Sequence, residues 1–429
     1  YSTDEMLLTA FTAREATHLK AGESVRLIHL VQGCAPKETP IHLSQTETDI
    51  FISNGKIQEP LKSFKIKHPK PKTAKRLQSK ETPRANAFFD AKDQITAHCL
   101  LRDGSIAVGT QTGTINLVNA EGNSVWAKKL EGPIHDIGVA QGESTLLAAG
   151  HGPASLTGVD HTGEHLWTTT IEREPCPWPW WELSTPAAIQ VAGGMCEGEP
   201  FFAVGCGDIQ MRCFNKKGLE RWRWRYNEGV PGRVRVADIE GSGNPKIVVG
   251  GDILSDQSTC RILSPNGDLT AELRVEGWTS MLTALAFGQC GERHFIGCGA
   301  SRGTNLHLFE HKNNSWHQSW QKQPGGQVTG IYIHGTEDRI WATTSQGFLL
   351  CYNLTGEPIW HHLFDRGIQH LKPLKEGLLV SDDSGKLWTV DFKGNVEEQA
   401  PLPAPCSFAT ANDAGVYLVS GSKIKCFTL

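Results

Sequence analysis

The chain has 429 residues and a formal net charge of −4, too small a charge to make the molecule as a whole a nucleic-acid binder. It has no uninterrupted apolar run of about 18 residues, so membrane insertion by a helix is excluded. Glycine (45) and tryptophan (13) are abundant while methionine (4) and tyrosine (5) are scarce, a profile suited to many short strands joined by tight turns.

The first residue is Tyr1, and no charged start with an apolar core follows it, which reads as a processed or excised piece of a longer protein. Residues 1–61 form an N-terminal β segment. ATHLKAGESVRLIHLVQ reads as two strands across an Ala-Gly turn, and TDIFISNGKIQEPLKSF as a hairpin on Asn54-Gly55. Four short strands make a poor independent domain, so the segment reads as the remnant of a β-sandwich. LKAGESVRLIHLV resembles the late sandwich strands of heparinase II/III-type polysaccharide lyases, which implies a catalytic domain on its N-terminal side. Residues 62–84 hold nine Lys or Arg against one Glu among several prolines. This is a solvated linker, or alternatively an arm that touches an anionic polymer.

From residue 85 onward one turn recurs. NAEGNSVW (119–126), DHTGEHLW (160–167), NKKGLERW (215–222) and NLTGEPIW (353–360) carry it whole. SPNGDLTA (264–271) and DFKGNVEE (391–398) keep the glycine and lose the tryptophan, and Asn313-Asn314 is a degenerate copy. Gaps of 38 to 55 residues are blade-sized. Glycine accepts the positive φ of a tight hairpin, and the tryptophan either caps its own blade or packs on the next. The final copy stops one strand short, and ANAFFD (85–90) can supply the missing strand. The expected fold is all-β: an eight-bladed β-propeller closed by an N-terminal strand, with seven blades plus a hairpin as the alternative.

The turns resemble the repeats of pyrroloquinoline-quinone-type propellers and of cofactor-free scaffolds of the BamB kind. Quinone enzymes of that family carry a vicinal cysteine pair, which is absent here, so no cofactor is expected. VADIEGSGNPKIVVGG (236–251) resembles a calcium-binding propeller loop. Asp238 and Glu240 match it, but Ser242 and Lys246 replace acidic positions, so the turn is expected without metal. The twelve cysteines show no metal spacing. They read as packed thiols, with Cys206 and Cys298 at equivalent strand positions and a disulfide at Cys176 or Cys196 left open.

Loops entering each innermost strand share a face with the loops between second and third strands, and sites gather there. EREPCPWPWWELSTP (172–186) offers Trp178, Trp180 and Trp181 for sugar stacking, or folds as a plug over the channel. RWRWRYNEGVPGRVRV offers Arg225, Tyr226, Arg233 and Arg235, with forked donors suited to carboxylate or sulfate. His135, His151, Trp278, Arg302 and His370 join the same face, with Asp252, Asp382 and Asp383.

The set suits an acidic polysaccharide. Arg235 would neutralise a uronate while His135, His151 and Tyr226 serve as acid and base of a β-elimination; Trp178, Trp180, Trp181, Arg225, Arg233, Trp278, Arg302 and His370 would bind substrate. Glycoside hydrolysis would need two carboxylates across a cleft, and no spacing among the aspartates singles out a pair. The expectation is a secreted or periplasmic carbohydrate-active propeller, either a lyase or the binding module of one. The alternative is a non-enzymatic protein-docking scaffold.

Overall fold

The computed structural model describes residues 41–45, 49–54, 62–65, 85–174, 187–226, 230–251, 258–275, 282–300, 305–399, 408–412 and 415–427. The chain divides into two units, Tyr1–Ala74 and Lys75–Leu429. In the first, Ile41–Gln45, Asp49–Asn54 and Lys62–Lys65 form an antiparallel three-stranded sheet in that order. Ile52 faces Lys62 and Asp49 faces Lys65, a register that a two-residue turn at Asn54-Gly55 would not give. The last strand of the sheet lies within the segment read as linker. The Ala-Gly hairpin and the lyase-like phrase lie outside the described residues.

The second unit is an eight-bladed β-propeller of four-stranded antiparallel sheets. Seven blades are consecutive in sequence: 95–129, 134–170, 188–225, 233–275, 282–322, 328–363 and 368–399. The eighth takes Phe408–Asn412, Gly415–Ser420 and Lys423–Phe427 from the C-terminal side and Ala85–Asp90 from the N-terminal side. The expected closing strand is the observed one.

Burial follows radial position. Second strands such as Ile106–Thr110 and Gly377–Asp382 are buried throughout, because neighbouring blades cover both faces. Outermost strands such as Glu220–Arg225 alternate half-buried and exposed, since one face meets water. Each described core cluster joins two consecutive blades. Leu156 and Ile171 pack with Phe202 and Val204, for example, and Val248 and Ile262 with Ile296 and Cys298. Burying side chains of that size contributes about 1.5–3 kcal/mol each.

The recurrent turn is a latch between blades. Its leading Asn, Asp or Ser accepts two backbone N–H groups. Asn353 Oδ1 takes those of Thr355 (3.1 Å) and Glu357 (2.8 Å), and Asp160 Oδ1 takes those of Thr162 and Glu164 (2.9 Å each). The glycine then presents a bare backbone surface to the tryptophan of the preceding blade. A Cβ on Gly218 would lie 2.5 Å from Trp167, and one on Gly267 2.9 Å from Trp222. Trp126, Trp167, Trp222 and Trp320 donate from Nε1 to His161, Lys216, Pro265 and Leu354 carbonyls at 2.8–3.0 Å, always two residues before the receiving glycine. Trp360 sits over Gly394 in the same way, but Arg339 Nη1 already takes the Phe392 carbonyl at 2.6 Å, and the indole N–H is left unpartnered. Phe88 of the closing strand covers Gly122. At the fourth blade Ala271 occupies the tryptophan position, opposite Ile262. The next turn has no glycine: Asn313 and Asn314 both adopt positive φ, 52° and 59°.

Cys206 and Cys298 are not equivalent. Gly205 pairs with the position of Gln190 as Gly299 pairs with that of Ala284, which sets Cys206 level with Ala300 and Cys298 level with Val204. Both are fully buried free thiols. Burial pushes the Cys206 thiol up to about 12. Cys196 is free, and Cys176 lies outside the described residues.

Candidate functional site in the central channel

The innermost strands enclose a channel cavity of about 790 Å³, with a vestibule of about 280 Å³ at one mouth sharing Arg233, Thr283, Thr329 and Gln369. The backbone edges of these strands face the channel and need partners. Side chains near the strand starts supply some of them. Thr96 Oγ1 donates to the Ile134 carbonyl of the next blade at 2.6 Å, and Thr283 Oγ1 to that of Val328 at 2.6 Å. Asp136 Oδ2 accepts the Val191 N–H at 2.8 Å, again one blade onward.

A register shift follows the first residue of most of these strands, between Ile95 and Ala97, Ala188 and Gln190, Leu282 and Ala284, Val328 and Gly330, and Ile368 and His370. The residue after the shift sits at one level of the channel in every blade. Asp136, Gln190, Arg233 and His370 share that level, opposite Gly150, Gly205, Gly250 and Ser381. Two residues along, Arg235 and Lys372 share a second level, opposite Val248 and Leu379. Val234 and Leu371 between them are buried in the core. The fifth and sixth blades carry Ala284 and Gly330 at the first level, where Ala284 is buried in the core and Gly330 lies against Leu371 and Thr343.

The electrostatics are one-sided. Arg233, Arg235 and Lys372 face a single carboxylate, Asp136, among the described lining residues. Burial pushes the Asp136 carboxyl up to about 6, against the opposing pull of the Val191 and Ile137 N–H groups and of Arg235 and Arg233. Burial pushes His98 down to about 4, with the charges of Lys372, His370 and Arg235 acting in the same direction. His98 is therefore a neutral imidazole at pH 7, able to donate and accept. Arg233 also reaches the Thr283 carbonyl (3.5 Å), and Arg235 Nη1 donates to the Val234 carbonyl (2.8 Å).

Of the residues expected from sequence, the channel brings together His135, Arg233, Arg235 and His370. His135 Nε2 lies 2.6 Å from the Gly152 carbonyl, so that nitrogen carries the proton and is engaged. Two residues assigned acid–base roles are elsewhere. His151 is buried, donating from Nδ1 to the Glu131 carbonyl (2.8 Å) and pairing Nε2 with Thr157 Oγ1 (2.8 Å). Its equivalents Thr110, Cys206, Ala300, Thr344 and Asp382 are buried too, so this position points inward in every blade. Tyr226 is fully buried, edge-on to Trp224 and beneath the Arg261 guanidinium at 5.2 Å. Arg225 lies on an outermost strand opposite Gln210, exposed and far from the channel wall. Asp382 caps a turn, accepting the Ser384 and Lys386 N–H groups, and Asp383 pairs with Arg366 on the surface. Trp178, Trp180, Trp181, Trp278, Arg302 and Asp252 lie outside the described residues.

Sequence reasoning missed His98, Asp136 and Lys372. It also missed a buried ion pair in the third blade, in which Arg212 donates twice to Asp208 (2.7 Å each) and once to the Glu172 carbonyl (3.0 Å). In the calcium-like turn Asp238 accepts the Ser242 and Gly243 N–H groups, while Lys246 pairs with Glu240 at 3.3 Å. Among the described residues no group of three or more His, Cys, Asp or Glu is placed to hold a metal ion.

No protein-family model matches the chain, and no curated protein matches it by sequence. Among solved structures, BamB from Moraxella catarrhalis is similar over 81% of this chain and 97% of its own, at 14% identity and a TM-score of 0.61. Sqt1 from Saccharomyces cerevisiae is similar over 81% and 100%, at 11% identity and 0.61. The computationally designed Ika8 is similar over 80% and 99%, at 14% identity and 0.57. These likenesses show the fold, and they carry through the resemblance of the repeats to BamB-type propellers. The likeness of the N-terminal segment to heparinase II/III-type lyases gains no support from any of the comparisons.

Proposed function

We propose that this propeller is a non-catalytic binding module whose channel mouth engages the carboxylates or sulfates of an acidic polysaccharide, in a secreted or periplasmic setting. The observation that carries the reading is the channel wall, where among the described residues three permanent cations and the imidazoles of His98 and His370 surround one carboxylate. Guanidinium forks and ammonium groups in a recess bind acid groups through charge-assisted hydrogen bonds. Cleavage by β-elimination is the weaker form of the hypothesis. It needs a base and an acid beside the uronate-neutralising arginine, and of the His/Tyr/Arg set assigned to it only His135 and Arg235 meet in the channel.

The test is affinity electrophoresis of the whole chain through gels containing polygalacturonate, alginate or heparin, with a neutral glucan as control. Retardation in acidic gels alone is expected, without the ultraviolet absorbance of unsaturated ends. Equal mobility in every gel would overturn the reading. A protein-docking scaffold is the second reading. It is favoured by the exposed aliphatic side chains Val125, Leu166, Leu219 and Leu269, one on the outer strand or turn of each of the first four blades.

A further inference from the structure

The two levels of the channel wall permit a narrower statement, which rests on the acidic-glycan reading above. The geometry points to a two-tiered site for a ligand bearing two acid groups in series. Arg233 and His370 hold one group at the first level, Arg235 and Lys372 hold the second, and Asp136 is the resident carboxylate that must be neutralised before the ligand is seated.

Three observations converge on it. First, the basic side chains come in pairs two residues apart on each of two strands, Arg233 with Arg235 and His370 with Lys372, and the residue between each pair is locked in the core. Two strand residues advance about 6.6 Å, a span comparable to one sugar residue of an extended chain. Secondly, the blades between these two strands present Ala284 and Gly330 at the first level, so among the described lining residues no charged side chain stands between the pairs there. Thirdly, Asp136 stands at that level, with Arg235 and Arg233 acting on its charge.

The other groups facing Asp136 are His135 on its own strand, His98 and Cys99 from the first blade, and His370 and Lys372 across the channel. His98 is neutral at pH 7, and burial pushes the Cys99 thiol up to about 12, so neither adds charge. Gln190, Thr283 and Thr329, from the third, fifth and sixth blades, do not titrate in this range. An ionised Asp136 therefore competes with the ligand for Arg233 and Arg235, and its protonation removes the competitor. As pH falls through about 6 Asp136 loses its negative charge, which should strengthen binding and couple a proton to the ligand.

Isothermal titration of the whole chain with galacturonate, digalacturonate and neutral digalactose tests this. Digalacturonate should bind at least about thirtyfold more tightly than galacturonate, and digalactose should not bind. The double variants Arg233→Ala/His370→Ala and Arg235→Ala/Lys372→Ala should each bring the two uronates to within about threefold of each other. Asp136→Asn keeps the acceptor for the Val191 N–H; it should bind more tightly at pH 7.5 and show a smaller rise in affinity between pH 7.5 and 5.5 than the unaltered chain. Retention of acidic polymers combined with equal affinity for the two uronates would overturn the two-tiered site and leave the glycan reading standing. If no uronate and no acidic polymer binds at either pH, both fall together.

Discussion

At the rim, five tryptophans sit over five glycines of the following blades, and four of the indoles reach the same carbonyl. At the channel, equivalent positions of consecutive blades read Ala97, Asp136, Gln190, Arg233, Ala284, Gly330 and His370. The same repeat is thus held constant at its outer edge and varied at its inner one. Constancy at the rim has a packing cause, because the indole needs a surface with no Cβ. Where Ala271 replaces the indole, the receiving turn also lacks the glycine. On the channel wall close packing fixes individual glycines, Gly330 against Leu371 for one, but imposes no common residue at this level. Charge gathered there is a property of this chain rather than of the fold.

The sharpest break of that comparison comes from the one place among the described residues where the repeat fully buries both partners of an ion pair. Arg212→Ala leaves the Asp208 carboxylate buried and unpaired, and should cost about 3–5 kcal/mol in urea unfolding. Next comes the rim. Trp222→Ala removes a half-buried indole and its hydrogen bond to Pro265, and should cost about 3 kcal/mol. Gly218→Ala, at φ 74° and against Trp167, should cost about 1–3 kcal/mol. Channel variants should show the opposite pattern. Arg235→Ala should weaken binding of acidic glycan about tenfold in affinity gels while shifting Tm by less than about 2 °C, because the side chain is exposed. Arg225→Ala, at the rim, should leave both unchanged. A small effect on stability is expected at Asn314→Gly. No tryptophan meets that turn, so unfolding free energy should move by less than about 0.5 kcal/mol.

The ring was legible because the four-strand period left one strand missing at the end and one unclaimed at Ala85–Asp90. The turns were legible because Asn, Asp and Ser cap them in the observed way. Parity was harder. A register shift after the first residue of an inner strand changes which side chains follow the channel, and nothing in IHDIGVAQ announces it. Asp136 was passed over for that reason, and His151 was taken for a channel residue although its position is interior in every blade. Aligning the repeats on Gly150, Gly205, Gly250 and Gly299 would have set Asp136 level with Arg233. The same alignment would have separated Cys206 from Cys298. In the N-terminal sheet, the Asn-Gly signal in FISNGK did not set the register, which pairs Ile52 with Lys62.

The seam of the eighth blade sets a timetable. Ser422 hydrogen-bonds Asp90 across 332 residues of chain, so the first strand of the propeller to leave a ribosome waits for the last. Until then, both ends of a growing arc show naked sheet edges to the cell. Closure is thus a late, non-local event, slow by the general dependence of rate on contact separation. A peptide copying ANAFFD, supplied in excess during refolding, should compete for that final gap.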